Sequence, residues 1–208
     1  RSAMLALKQD PKKLEVIFIQ FASLLRKGKK ISMSTRGGEF ISLSELMEEV
    51  SAEAARFFFI NSKAEQHLDF DLDLAKEESK DNPLYYVQYA HARICSVFKK
   101  LKSESKNYDY DLGEKKISIL SGNREIEIQK LLSQFPEVIL RAANNYEPHL
   151  ICYYLRHLAS SFHSYYNEER FLVENEDELQ ARLFMLKAIK QVLFNGLSLL
   201  GLSAPTSM

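Results

Sequence analysis

Asp81–Lys102, DNPLYYVQYAHARICSVFKKLK, decides how this chain of 208 residues is read. Asp81 and Asn82 are cap-capable, and Pro83 suits a first helical position, where its missing N–H would have no partner anyway. Val87, Ala90, Ile94, Val97, Phe98 and Leu101 then recur at helical spacing. The stretch predicts a long amphipathic helix from Leu84 to Lys102. A domain boundary is expected at its start, dividing the chain into residues 1–80 and 81–208.

Tyr85, Tyr86, Tyr89, His91 and Arg93 decorate that helix. A tyrosine ring stacks on any base, and a guanidinium meets a phosphate or a base plane, so the set suits single-stranded RNA. Buried tyrosines with a bonded hydroxyl are the alternative reading.

Downstream, Ser103–Arg124 is polar and irregular and reads as a surface connection with one short element around Ile117–Leu120. Glu125–Asn145 returns to helical spacing, and Pro136 inside it is expected to break it into two helices. Pro148 opens a helix over His149–Asn167, with Leu150, Leu155, Leu158, Ala159, Phe162 and Tyr166 as packing residues. The acidic ENEDE of Glu174–Glu178 favours the N-terminal dipole of a last helix, Leu179–Leu200, stopped by Gly201. The second half is therefore a helix bundle.

Upstream, Leu14–Leu25, LEVIFIQFASLL, is nearly continuously apolar and reads as a buried strand of a parallel sheet. A basic turn, Arg26–Lys30, leads into Ile31–Phe40, ISMSTRGGEF, whose small residues and Arg36 are a pattern that wraps phosphate oxygens and equally an ordinary connection. Ser42 and Glu45 form a capping box ahead of Leu43, Leu46, Met47 and Val50 on one helical face. A second helix continues over Ala52–Ile60, with Phe57, Phe58 and Phe59 as core. His67–Ala75, HLDFDLDLA, alternates Asp69, Asp71 and Asp73 with apolar residues. Capping and salt bridging account for these acids better than a metal does.

Composition bounds the partners. With 28 Lys+Arg against 28 Asp+Glu, no global positive field recruits nucleic acid, so any such contact rests on local patches. Cys95 and Cys152 have no CxxC or Cys/His ligand spacing, and His149, His157 and His163 lack the i, i+4 pairing of a zinc site, so no metal is expected. No apolar run approaches eighteen residues and no secretion signal opens the chain, which predicts a cytoplasmic protein without a membrane span. The missing initiator methionine and the apolar start predict a piece of something longer.

The motifs MSTRGGEF, AARFFF, HLDFDLDLA, NPLYYVQYAHAR and the terminal GLSAP..M resemble, in order, the C-terminal part of a bacterial arginyl-tRNA synthetase. The resemblance implies a mainly α chain: the end of a Rossmann-type α/β catalytic domain in residues 1–80, then a helical anticodon-binding bundle of the DALR type in 81–208. It also implies arginine–tRNA ligase activity in the full-length chain, using ATP and Mg²⁺, with none bound tightly by this piece. Partners would be arginine tRNA, and ATP and arginine through a preceding portion, with neither DNA nor a membrane.

Met33, Ser34 and Arg36 would act as the loop that closes over the ATP phosphates. Ser32 and Thr35 stand where that family's signature has lysines, leaving the charge to Arg36, backbone amides, Mg²⁺ or a lysine elsewhere. The HIGH signature and the arginine pocket are absent, so the piece alone is expected to be inactive. Anticodon contact would fall on Tyr85, Tyr89, His91 and Arg93 and on Met208, at the end of what otherwise reads as a frayed tail. The competing reading is a non-catalytic helical RNA-binding or protein-interaction module.

Overall fold

A computed structural model describes residues 1–31 and 41–208. After a short helix, α1 (Ser2–Ala6), the first unit is a small sheet of β1 (Ala22–Arg26), β2 (Lys29–Lys30) and β3 (Leu68–Asp71), in the order β2-β1-β3. Lys27 and Gly28, both at positive φ, close the two-residue hairpin between β1 and β2. β1 runs parallel to β3 with Leu24 opposite Phe70, and both point into the core.

Only the end of the apolar run 14–25 is a strand. Residues ahead of Ala22 stand in solvent, with Phe18 at 87% exposure. A buried strand needs a neighbour on each edge and a layer on each face. Among the described residues β3 pairs with this run only from Ala22 and β2 only from Leu25. Ahead of Ala22, Gln20 alone is tied across, its N–H donating to the Ala64 carbonyl.

α2 (Leu43–Val50) starts at the predicted capping box: Glu45 N–H donates to Ser42 Oγ at 3.2 Å and Ser42 N–H to Glu45 Oε2 at 2.6 Å. Its apolar stripe is wider than its contact, so Leu46 and Val50 are buried while Leu43 and Met47 are exposed. Ser51, at positive φ, makes the elbow into α3 (Ala52–Ile60) and caps it. Phe57 and Phe58 are core, as expected. Phe59 is not fully so: it stays 41% exposed and lays one face on Phe70, with centroids 5.4 Å apart.

The three aspartates of HLDFDLDLA do separate jobs. Asp69 faces Lys30 and His67; Asp71 caps α4 (Leu72–Lys76) by accepting from Asp73 and Leu74 N–H; Asp73 accepts from Lys27 N–H at 2.6 Å. The change from strand to helix at Leu72 is what sends them apart.

Asn82 and Pro83 then start α5 (Pro83–Ser103), with Asn82 Oδ1 accepting from Leu84 and Tyr85 N–H. α7 (Asn123–Asn144), α8 (His149–Glu168) and α9 (Glu176–Leu199) complete the bundle, and α9 buries a mainly apolar face that also takes in Gln180 and Arg182. Two expectations change here. The connection 103–124 holds a helix, α6 (Tyr110–Lys116), capped by Asp109 and followed by a 3-10 turn at Ile117–Ile119. It approaches α9 through Gly113, whose lack of a side chain leaves no apolar periodicity to read.

Pro136 lies inside an unbroken α7. Proline frees the carbonyl four residues back, but Pro136 sits on the exposed side, where water can take that bond. Ile128, Leu131 and Ala142, buried on either side, hold the helix to its neighbours, and Tyr154 OH donates to the Leu131 carbonyl at 2.9 Å.

A Cβ at Gly113 would lie 2.7 Å from the Gln180 carbonyl oxygen and 2.8 Å from Phe184 Cβ. Gly113→Ala should therefore push α6 off α9 and cost about 1–3 kcal/mol, as overpacking does. Urea unfolding of the variant against the parent measures it; an unchanged midpoint would refute the close approach.

Candidate nucleic-acid interface

Tyr85, Tyr89 and Arg93 are spaced i, i+4, i+8, which stacks them along one stripe of α5. The stripe is half-buried and ordered by ring contacts. Tyr85 and Tyr89 stack at 6.0 Å between centroids and 17° between planes, and Tyr89 stacks in turn on His163 of α8 at 5.6 Å and 24°. Arg93 lies over the Tyr166 ring with Cζ 4.0 Å from its centroid, and 5.4 Å from that of Tyr89. A guanidinium over a ring face is attracted by the ring's quadrupole.

His163 is the hub of this arrangement. Its Nε2 lies 3.2 Å from the Tyr86 carbonyl and its Nδ1 3.3 Å from Arg93 Nη1. A carbonyl can only accept and a guanidinium can only donate, so the ring carries its proton on Nε2 and is neutral. Burial, opposed by the bond to Tyr86 and aided by the charge of Arg93, holds its pKa below the ordinary histidine value of 6.5. Asn167 completes the grip, its Oδ1 accepting from Arg93 Nη2 at 3.3 Å.

His91 does not join the tyrosines. Two residues past Tyr89 is a turn of about 200°, and the side chain, 2% exposed, lies against the C-terminal tail with Nδ1 2.8 Å from the Pro205 carbonyl. That tail is fastened rather than frayed. Gly201, at positive φ, ends α9 as Leu202 N–H donates to the Leu197 carbonyl and Gly201 N–H to that of Ser198. Ser203 then donates through N–H and Oγ to the Glu53 carboxylate, each at 2.8 Å, and Gln88 donates to the Ser203 carbonyl at 3.0 Å. Met208, at the end of this strap, is 50% exposed.

Met33, Ser34 and Arg36 lie outside the described residues. Tyr166 and Asn167, by contrast, border this stripe with His163 buried beneath it, although on α8 the spacing gave Tyr166 only a packing role. The missing signal was that α8 runs beside α5.

Two tyrosine rings and a ring-held guanidinium along one stripe of a helix bundle are groups that can stack on planar rings and meet anions. Residues 87–208 match the family of the DALR anticodon binding domain. The chain belongs to this family. An arginine–tRNA ligase of Coxiella burnetii is 53% identical over all 208 residues, and the chain spans 35% of that relative's length. The match falls on the C-terminal part of such proteins.

A solved structure from Campylobacter jejuni assigned as an arginyl-tRNA synthetase has TM-score 0.78 and 29% identity, covering 100% of this chain and 44% of its own. The Thermus thermophilus arginyl-tRNA synthetase has TM-score 0.70 and 25% identity over 89% of this chain and 34% of its own. The DALR bundle here thus carries the half-buried Tyr89, Arg93 and Tyr166 on one side, over the buried His163, with Tyr85 just ahead of the matched residues. Among the described residues, no helix is long and apolar enough to cross a membrane.

Two of the buried histidines, His91 and His163, give this DALR domain a pH response. Burial is also the main cause holding His91 below 6.5, and its Nε2 has no hydrogen-bond partner among the described residues. The unfolded chain binds those protons near pH 6.5 and the folded chain only at lower pH. Stability is therefore full above about pH 6.5 and falls below it. The depressed carboxyls of Glu45 and Glu49 titrate under pH 4.5, outside this window. The urea midpoint should drop between about pH 7.5 and 5.5, and drop less in His91→Asn. Parallel curves for parent and variant would exclude His91 as a contributor.

Proposed function

We propose that this chain is the C-terminal part of an arginine–tRNA ligase, the enzyme that attaches arginine to its tRNA using ATP. Its bundle reads the anticodon loop of arginine tRNA. The observation that carries this reading is the ladder Tyr85–Tyr89–His163, with Arg93 seated over Tyr166, all but Tyr85 within the residues that the family match covers. Bases unstacked from a loop find ring faces at Tyr85 and Tyr89. Arg93, held by His163 and Asn167, presents a cation beside them. Met208 is carried to the surface by the strap fastened at Ser203 and Pro205.

In this proposal residues 1–80 close the catalytic domain and residues 81–208 form the anticodon domain. Met33, Ser34 and Arg36 serve the ATP phosphates, with Mg²⁺ and arginine met through residues beyond this chain. The piece alone is inactive, and the whole protein works in the cytoplasm. The 53% identity to an arginine–tRNA ligase along all 208 residues supports this division of labour.

Binding to arginine tRNA and to a non-cognate tRNA, each at low and moderate salt, tests it. Cognate preference should persist at moderate salt. Stacking is worth about 1–3 kcal/mol per base, so Tyr89→Ala should weaken cognate binding about 5- to 150-fold while Tyr89→Phe keeps most of it. Equal affinity for both tRNAs, or a Tyr89→Ala variant that binds like the parent, would refute the reading.

A further inference from the structure

A groove of about 440 Å³ opens between the first turn of α5 and the middle of α8. Lys80, Tyr86, Tyr153, Arg156, His157 and Ser160 line it. The last four of these are spaced i, i+3, i+4, i+7 on α8, which makes them one solvent-facing stripe.

Two features give the groove a direction and a charge. Tyr86 is its wall on the side of the stacking surface: the Tyr86 ring packs on His163 at 4.5 Å, and His163 stacks on Tyr89. A strand leaving the tyrosine ladder therefore runs into this groove. The charge comes from Lys80 and Arg156, which, like most lysines and arginines among the described residues, sit in no ion pair. Asp81 is the one acid in the groove lining.

Exposed cations without an acidic partner, beside hydroxyl donors at Tyr153 and Ser160, form a site for phosphodiester oxygens. We propose that this groove holds the ribose–phosphate backbone of the RNA whose bases stack on Tyr85 and Tyr89, with Lys80 and Arg156 on its phosphates. This rests on the RNA-binding function proposed above and extends it to a second, sequence-blind contact. Phosphate contacts position the strand and the stack reads it.

The test separates the two contacts by their salt dependence. The affinity of the full chain for arginine tRNA and for a non-cognate tRNA is measured from about 50 to 200 mM salt. The proteins are the parent, Arg156→Gln, Lys80→Gln, Tyr89→Ala and Lys99→Gln. The last is an exposed control near the far end of α5. All three charge variants alter solvent-facing side chains, so folding is unaffected.

Arg156→Gln and Lys80→Gln should each weaken both tRNAs by the same factor and flatten the plot of log affinity against log salt by about 0.7. Tyr89→Ala should lower affinity at an unchanged slope, and Lys99→Gln should leave the slope alone. Unchanged slopes in Arg156→Gln and Lys80→Gln, with Tyr89→Ala still weakened, would overturn the groove and leave the anticodon reading standing. An equal flattening by Lys99→Gln would also overturn it, because general charge would then account for the effect. If Tyr89→Ala binds as the parent does, the RNA reading itself fails and the groove with it.

Discussion

The side-chain amide of Asn82 fixes the line along which α5 leaves the rest of the chain. It is 5% exposed, and both halves of the amide are used. Nδ2 donates to the Ala75 and Glu77 carbonyls at 3.2 and 2.9 Å, while Oδ1 accepts from Leu84 and Tyr85 N–H. The same group thus takes up carbonyls at the end of α4 and N–H groups at the start of α5. A buried amide with any of these bonds missing is costly, so direction and register at this junction are set together. The register matters most: rotating α5 by one residue, about 100°, would take Tyr85, Tyr89 and Arg93 off α8 and dismantle the ladder.

A second fastening closes the circuit from the other end of the chain. Glu53 on α3, Gln88 and His91 on α5, and Ser203 and Pro205 of the tail meet in one hydrogen-bonded cluster. Tail residues carry little apolar surface of their own, and Leu202 and Ala204 supply most of what packs. Polar bonds therefore decide where the strap lies. Each partner comes from a different element, so the strap can close only after α3, α5 and α9 are in place. Its position reports the assembled fold rather than any local preference.

That difference between local and assembled information explains what could be read in advance. The Ser42–Glu45 box and the Asn82–Pro83 start depend on residues within four positions of each other, and a sequence states such relations directly. α6 was hidden because its contact is made by Gly113, a residue whose contribution is an absence. Pro136 misled because local chemistry says a helix should stop, whereas exposure of that face and packing on both sides let it continue. For His91, composition beside the tyrosines suggested kinship, and the helical turn between them denies it. Tyr166 was visible only as an apolar-spaced ring, since nothing in α8 says which helix lies alongside.

The chain's zero formal charge gives these details weight. With no net field around the chain, each cation counts only where it is presented, and Arg93 is presented only while His163 is neutral. A protonated imidazole would lose the lone pair that accepts from Arg93 and set two cations against each other beneath Tyr89. Burial of His163 prevents this by penalising its charged form, and the adjacent guanidinium reinforces it. The packing of α8 on α5 therefore does more than exclude water from a core. It holds one imidazole uncharged so that the guanidinium beside it can lie over Tyr166 and face outward.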